Sequence, residues 1–142
     1  MKTKLIIILL LQIAVMGANL KDETPIIRKS AERNGIKYQS DDWYLLIAIR
    51  KAENGRSGLE WGIMDKRANT LNKQAGWASA TIMNHHKRTG IKEVNKAFIR
   101  SLSKRYCPSE GISLTNDERR LNIYWYNNVN YWYDKLRNSN NG

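Results

Sequence analysis

Glu53 is the residue in this chain best placed to move a proton. It ends the segment Trp43 to Glu53 (WYLLIAIRKAE), the most apolar helical stretch of the sequence, and the helix-stopping pair Asn54-Gly55 follows at once. An apolar neighbourhood disfavours the charged carboxylate and moves its pKa upward. A carboxyl held on a rigid element yet opening toward a loop is what a general acid requires. A glutamate there also faces the unfavourable end of the helix dipole, which argues for a reason to be there. The plain alternative is a solvated helix-end glutamate paired with Lys51 or Arg56. In the loop that follows, Trp61 has a ring face suited to the apolar side of a sugar or to a place in the core. Glu60 could hydrogen-bond a substrate or simply hold the loop. His85 and His86 are adjacent on a helix and project about 100° apart, so they do not form a metal pair and no metal is expected. Cys107 is the single cysteine; it excludes an intrachain disulfide and a multi-cysteine zinc site, and reads as a small buried hydrophobe.

The elements that must carry these residues are helical. Thr24-Pro25 predicts a short first helix, with Thr24 as cap, closed by Asn34-Gly35. Ser40-Asp41-Asp42 caps the apolar Trp43 to Glu53 helix, whose consecutive Leu45, Leu46, Ile47, Ala48 and Ile49 predict burial on most sides. A third helix is expected over Leu71 to Arg88, and a fourth over Lys92 to Tyr106, with Val94, Ala97, Phe98 and Leu102 on one face and Pro108 as its stop. Thr115-Asn116-Asp117-Glu118 fits a capping box. After it, Leu121, Trp125, Val129, Trp132 and Leu136 form one apolar stripe at helical spacing. Nothing between Gly55 and Thr70 keeps a helical period, so a glycine-rich loop or short irregular sheet is expected there.

With 142 residues the chain suits one domain. Five Trp, seven Tyr and a hydrophobic fraction of 42% exclude a disordered or low-complexity polymer. The formal charge is +11, with basic residues scattered in pairs such as Arg50-Lys51 and Lys104-Arg105 that read as solvated helix faces. Lys2 and Lys4 precede an apolar run from Leu5 to Ala18 that would span roughly 21 Å as a helix, short of a hydrocarbon core of ~30 Å. That predicts a cleaved export signal over residues 1–18, no lasting membrane span, and a periplasmic or secreted protein. Outside the cytoplasm a basic chain meets cell-wall polymers and anionic lipid rather than nucleic acid, so no nucleic-acid partner is expected.

The run Ala48-Ile49-Arg50-Lys51-Ala52-Glu53-Asn54-Gly55, followed by Gly58-Leu59-Glu60-Trp61-Gly62-Ile63, resembles the transglycosylase-like proteins of the lysozyme-like superfamily, relatives of the soluble lytic transglycosylases. The similarity continues through Gln74-Ala75-Gly76-Trp77-Ala78-Ser79-Ala80-Thr81-Ile82, Phe98-Ile99-Arg100, Arg105-Tyr106 and Pro108, and the Asn122, Trp125, Asn128-Val129 segment. It covers about residues 43 to 136. It implies a mainly α, lysozyme-like single domain with a reduced or absent sheet. It also implies peptidoglycan glycan strands as partner, a monomer and no cofactor. Glu53 takes the place of the catalytic acid, cleaving the bond between N-acetylmuramic acid and N-acetylglucosamine. Glu60, Trp61, Gln74 and Trp125 fall to the substrate-binding surface.

Glycosidases usually pair two carboxylates. Glu60 and Asp65 are the nearest candidates for the second, whereas the position nine residues after the acid, an Asp in phage-type lysozymes, is Gly62. One carboxylate suffices where the muramic 6-hydroxyl is the nucleophile, which favours a transglycosylase over a hydrolase. The other outcome is a catalytically inactive relative that binds glycan or a partner protein. In its favour, Asn follows the acid where Ser is frequent, and Glu60-Trp61 replaces a Met-Gln loop. The expected organisation is a signal over 1–18, an N-terminal helical segment over 19–39, the catalytic domain over 40–137 and a frayed tail over 138–142. Intact-mass analysis of exported protein should give a chain beginning near Asn19; material retaining Met1 would contradict the export signal.

Overall fold

The computed structural model describes residues 23–106 and 116–140, without the side chains of 116–119, 121 and 122. The segment 1–18, Cys107, Pro108, the capping Thr115, the side chains of Leu121 and Asn122, and the final two residues lie outside it. The described chain is mainly α, with five helices and no strand: α1 (23–33), α2 (Asp41–Glu53), α3 (Leu71–Thr89), α4 (Lys96–Tyr106) and α5 (Asn116–Ser139). Among the described residues no helix is long and apolar enough to cross a membrane.

Helix α2 is the axis of the core. Its start is fixed by Ser40, whose side chain accepts from the Trp43 backbone N–H at 3.2 Å, with Asp41 and Asp42 in the first turn where the dipole favours negative charge. Its end is fixed by Asn54 in the left-handed region at φ 48°. Leu45, Leu46, Ala48 and Ile49 are fully buried. Each large one contributes about 1.5–3 kcal/mol by leaving water. α5 packs along α2, α4 packs on α5, and α3 touches α2. The α2–α5 pair is antiparallel, since Glu53 meets Trp125 and Asp41 meets Arg137.

Several boundaries differ from the sequence expectation. α1 already contains Glu23 and Thr24, so Thr24 is not its cap. α4 begins at Lys96 rather than Lys92, because the Asn95 side chain accepts from the Phe98 N–H at 2.9 Å and starts the helix there. Val94 precedes that helix and Ala97 is exposed, so the buried face is Phe98, Ile99 and Leu102. In α5 the buried side chains are Trp125, Val129 and Tyr133, while Trp132 and Leu136 sit half-buried beside them. Asn138 and Ser139 are helical rather than frayed. Arg50 is not on a solvated face; it is 4% exposed and bridges to Glu23.

Replacing Ser40 removes the one side-chain acceptor at the start of this central helix. Ser40→Ala should lower unfolding free energy by about 1 kcal/mol, read as a midpoint a few degrees lower in a circular dichroism melt with no loss of helical signal.

Candidate active site

Between α2 and α3 the chain from 54 to 70 forms neither helix nor strand, yet it is braced. Gln74, fully buried on α3, accepts through Oε1 from the backbone N–H of Trp61 (3.2 Å) and Ile63 (3.3 Å). Its Nε2 shares two hydrogens among the carbonyls of Gly58 (3.0 Å), Ile63 (2.8 Å) and Ala68 (2.6 Å). One carboxamide thus satisfies backbone groups that would otherwise be buried unpaired, at a cost of about 1–3 kcal/mol each. Arg50 adds a second brace from α2, donating to the carbonyls of Gly55 (3.2 Å) and Glu60 (3.4 Å) while its other nitrogens reach Glu23. Gly55 is required because a Cβ there would stand 1.7 Å from the Leu59 carbonyl oxygen.

Three residues assigned to the substrate surface belong to this brace instead. Trp61 is fully buried and donates its indole N–H to the Leu46 carbonyl at 2.9 Å, so neither ring face is open to a sugar. Gln74 is interior, as described. Glu60 is 4% exposed and turns inward, its Oε1 accepting from the Gly58 N–H at 2.9 Å and its Oε2 buried with no partner among the described residues. Their assignment to the substrate surface came from the resemblance; the fold closes the loop over them.

Glu53 and Trp125, 72 positions apart, are brought together. The Trp125 indole N–H donates to Glu53 Oε1 at 2.6 Å. Trp125 is 7% exposed and stacks on Tyr106 with ring centroids 5.2 Å apart and planes at 21°. Its role here is to hold the acid rather than to present a broad face to a ligand. On the other side, Gly62 at φ +70° presses its backbone against the carboxyl: a Cβ there would lie 2.6 Å from Glu53 Oε2. An aspartate at that position would have to adopt this left-handed φ and displace the Glu53 carboxyl. Neither Lys51 nor Arg56 pairs with Glu53 among the described residues. Burial raises the Glu53 pKa above its ordinary value, and the indole hydrogen bond opposes this without cancelling it. The upward direction is the one implied by the apolar helix. Sequence reasoning passed over Tyr106 and Gly62 as site residues; the aromatic at the end of α4 and the glycine where an acid was sought were the available signals.

Asp65, the other candidate second carboxylate, is occupied by Arg67. It accepts from the Arg67 backbone N–H (2.9 Å), Nε (3.0 Å) and Nη2 (2.7 Å), and these bonds hold its carboxyl down to about 2. His85 and His86 part as expected: His85 Nε2 meets Ser101 Oγ at 3.0 Å, while His86 lies between Asp42 Oδ1 (2.7 Å) and the Ile91 carbonyl (2.6 Å). Among the described residues no cluster of three or more His, Cys, Asp or Glu could hold a metal ion.

Comparison with protein families, with curated proteins and with solved structures finds no match to this chain.

The raised Glu53 pKa makes stability depend on pH. The folded state binds a proton more tightly than the unfolded state, so Glu53 contributes stability that is fully present below the ordinary glutamate pKa and is lost as pH rises through the folded value. Wild type should thus lose stability relative to Glu53→Gln across that window in paired denaturant titrations. A difference independent of pH would contradict the shift.

Proposed function

We propose that this protein is an exported, lysozyme-like peptidoglycan-cleaving glycosidase that uses Glu53 as its acid. The observation that carries the reading is the half-buried Glu53 carboxyl, its pKa raised by desolvation and one oxygen held by the Trp125 indole. With Oε1 accepting that N–H, the proton to be donated belongs on Oε2, the oxygen beside Gly62. Protonation of the glycosidic oxygen between N-acetylmuramic acid and N-acetylglucosamine lets the bond to the muramic C1 break. The muramic 6-hydroxyl then bonds to C1, and its proton returns to the Glu53 carboxylate. The product is a 1,6-anhydro sugar, and the acid is restored without water. The indole N–H steadies the carboxylate in the interval, as a preorganised donor does for developing charge.

The engagement of both other candidate carboxylates favours this single-carboxylate route over hydrolysis. Glu60 is turned to the Gly58 N–H and Asp65 is bound by Arg67, leaving neither arranged to activate a water or form a glycosyl ester. The N-terminal apolar segment supports a site of action outside the cytoplasm. A non-catalytic glycan or partner binder is the second reading, favoured by the burial of Glu60, Trp61 and Gln74, which removes three of the expected sugar contacts.

Digestion of purified peptidoglycan followed by mass spectrometry separates these readings. Anhydro-muropeptides are expected, hydrated ends would point to a hydrolase, and an unchanged sacculus would favour the binder. Glu53→Gln should stay folded and lose cleavage by about 10² to 10⁴ in rate, the usual share of general acid catalysis. A folded Glu53→Gln that cleaves at the wild-type rate would remove Glu53 from the mechanism.

A further inference from the structure

Two ammonium groups from different helices lie close to one indole, that of Trp132. Lys51 on α2 places Nζ 4.6 Å from the Trp132 ring centroid, and Lys135 on α5 places its own 5.2 Å from the same centroid. Lys135 Nζ also reaches Tyr131 Oη at 3.5 Å. Tyr131 and Trp132 meet edge to face, centroids 5.3 Å apart and planes at 74°, so the corner offers two differently oriented rings. Tyr131 is 56% exposed.

Like charges gathered this way oppose one another, and the usual remedy is a carboxylate. None is supplied: among the described residues neither Lys51 nor Lys135 has an ion-pair partner, Asp134 included. Burial first, then Lys135 and then Arg50, make the charged form of Lys51 less favourable. Arg50 is already engaged with Glu23, so the unanswered charge rests on the two lysines. The rings offset part of it, since a cation over an aromatic face gains about 0.5–1 kcal/mol at an exposed site. An incoming anion beside these lysines would answer the rest.

The rest of the corner says what kind of anion. Lys135 Nζ lies 5.6 Å from the Tyr131 ring centroid, and the other face of this exposed ring suits the apolar side of a pyranose. One turn earlier on α5, Asn127 and Asn128 bring carboxamides to the same side, Asn127 exposed and Asn128 half-exposed. Amides can bond sugar hydroxyls, whereas sinking them into lipid would leave them unpaired. We propose that Lys51, Lys135, Tyr131 and Trp132 form a binding site for an acidic glycan, with sugar carboxylate groups held by the two lysines and a ring face on Tyr131. The proposal rests on these side chains alone and stands whether or not Glu53 cleaves a glycan.

The test is calorimetric titration of the full-length protein, at about 150 mM salt to screen diffuse attraction, with three soluble polymers: polygalacturonate, neutral dextran and polyglutamate. Wild type should bind polygalacturonate and bind the other two distinctly less. Lys51→Gln/Lys135→Gln should weaken polygalacturonate on the order of tenfold, the scale of losing two charge-assisted contacts, and Tyr131→Ala should weaken it too. Lys29→Gln/Lys37→Gln removes the same charge from exposed positions on and just after α1 and should leave affinity unchanged. Lys135→Gln alone, at an exposed position, supplies an intermediate loss should the double variant melt abnormally. Equal weakening by the Lys29/Lys37 control would reduce the effect to net charge and overturn the site. Polyglutamate bound as tightly as polygalacturonate would assign the corner to acidic peptide instead, and no polygalacturonate binding by wild type would end the proposal.

Discussion

The hydrogen bond from the Trp125 indole to Glu53 Oε1 is the constraint on which the rest of the site depends. It joins the last residue of α2 to the middle of α5 at 2.6 Å, between a half-buried carboxyl and a buried indole. A carboxyl in such a place is disfavoured when charged, and a bond to a charged acceptor is worth about 1.5–3 kcal/mol. The two effects oppose each other, and burial prevails. The outcome is a group that holds a proton more tightly than a free glutamate yet has a donor ready when the proton leaves. Tyr106 behind the indole and Gly62 against the other oxygen leave the carboxyl little freedom to turn.

Holding Gly62 in that position is the work of the braced loop. A segment of this length without helix or strand would ordinarily open easily, because its backbone groups could find water. Here Gln74 and Arg50 occupy those groups from two different helices, and Trp61 anchors the loop to the Leu46 carbonyl. Partially satisfied, such a network would be worse than an apolar core; its backbone contacts are paired, so it fixes the loop geometry instead. The rigidity that a general acid needs therefore comes from residues that never approach a substrate.

Much of this was legible in the sequence, and the failures have physical reasons. The strong local signals held: Ser40 at the start of α2, Asn54 at its end, the irregular stretch from 55 to 70, and the apolar face of α5 at Trp125 and Val129. They depend on neighbours within one turn, which a sequence displays directly. The errors came where distant partners decide. Arg50 reads as half of a surface pair until Glu23 is folded against it, and Gln74 reads as a polar surface or cleft residue until five backbone groups converge on it. For Trp61 and Glu60 the sequence left a core place and a loop-holding role open beside sugar contacts, and nothing local says that the loop folds back over them. For Glu53, the apolar helix foretold the direction of its pKa, but the Trp125 bond and the Gly62 contact required the structure.

A direct titration of the Glu53 carboxyl decides whether burial does outweigh the indole bond. The Glu53 side-chain carboxyl carbon should be followed by NMR across pH in ¹³C-labelled protein, in wild type and in Trp125→Phe. The account predicts a wild-type midpoint above that of an ordinary glutamate and a further rise in Trp125→Phe, because the lost donor favours the charged form. A wild-type midpoint at or below the ordinary glutamate value would contradict it.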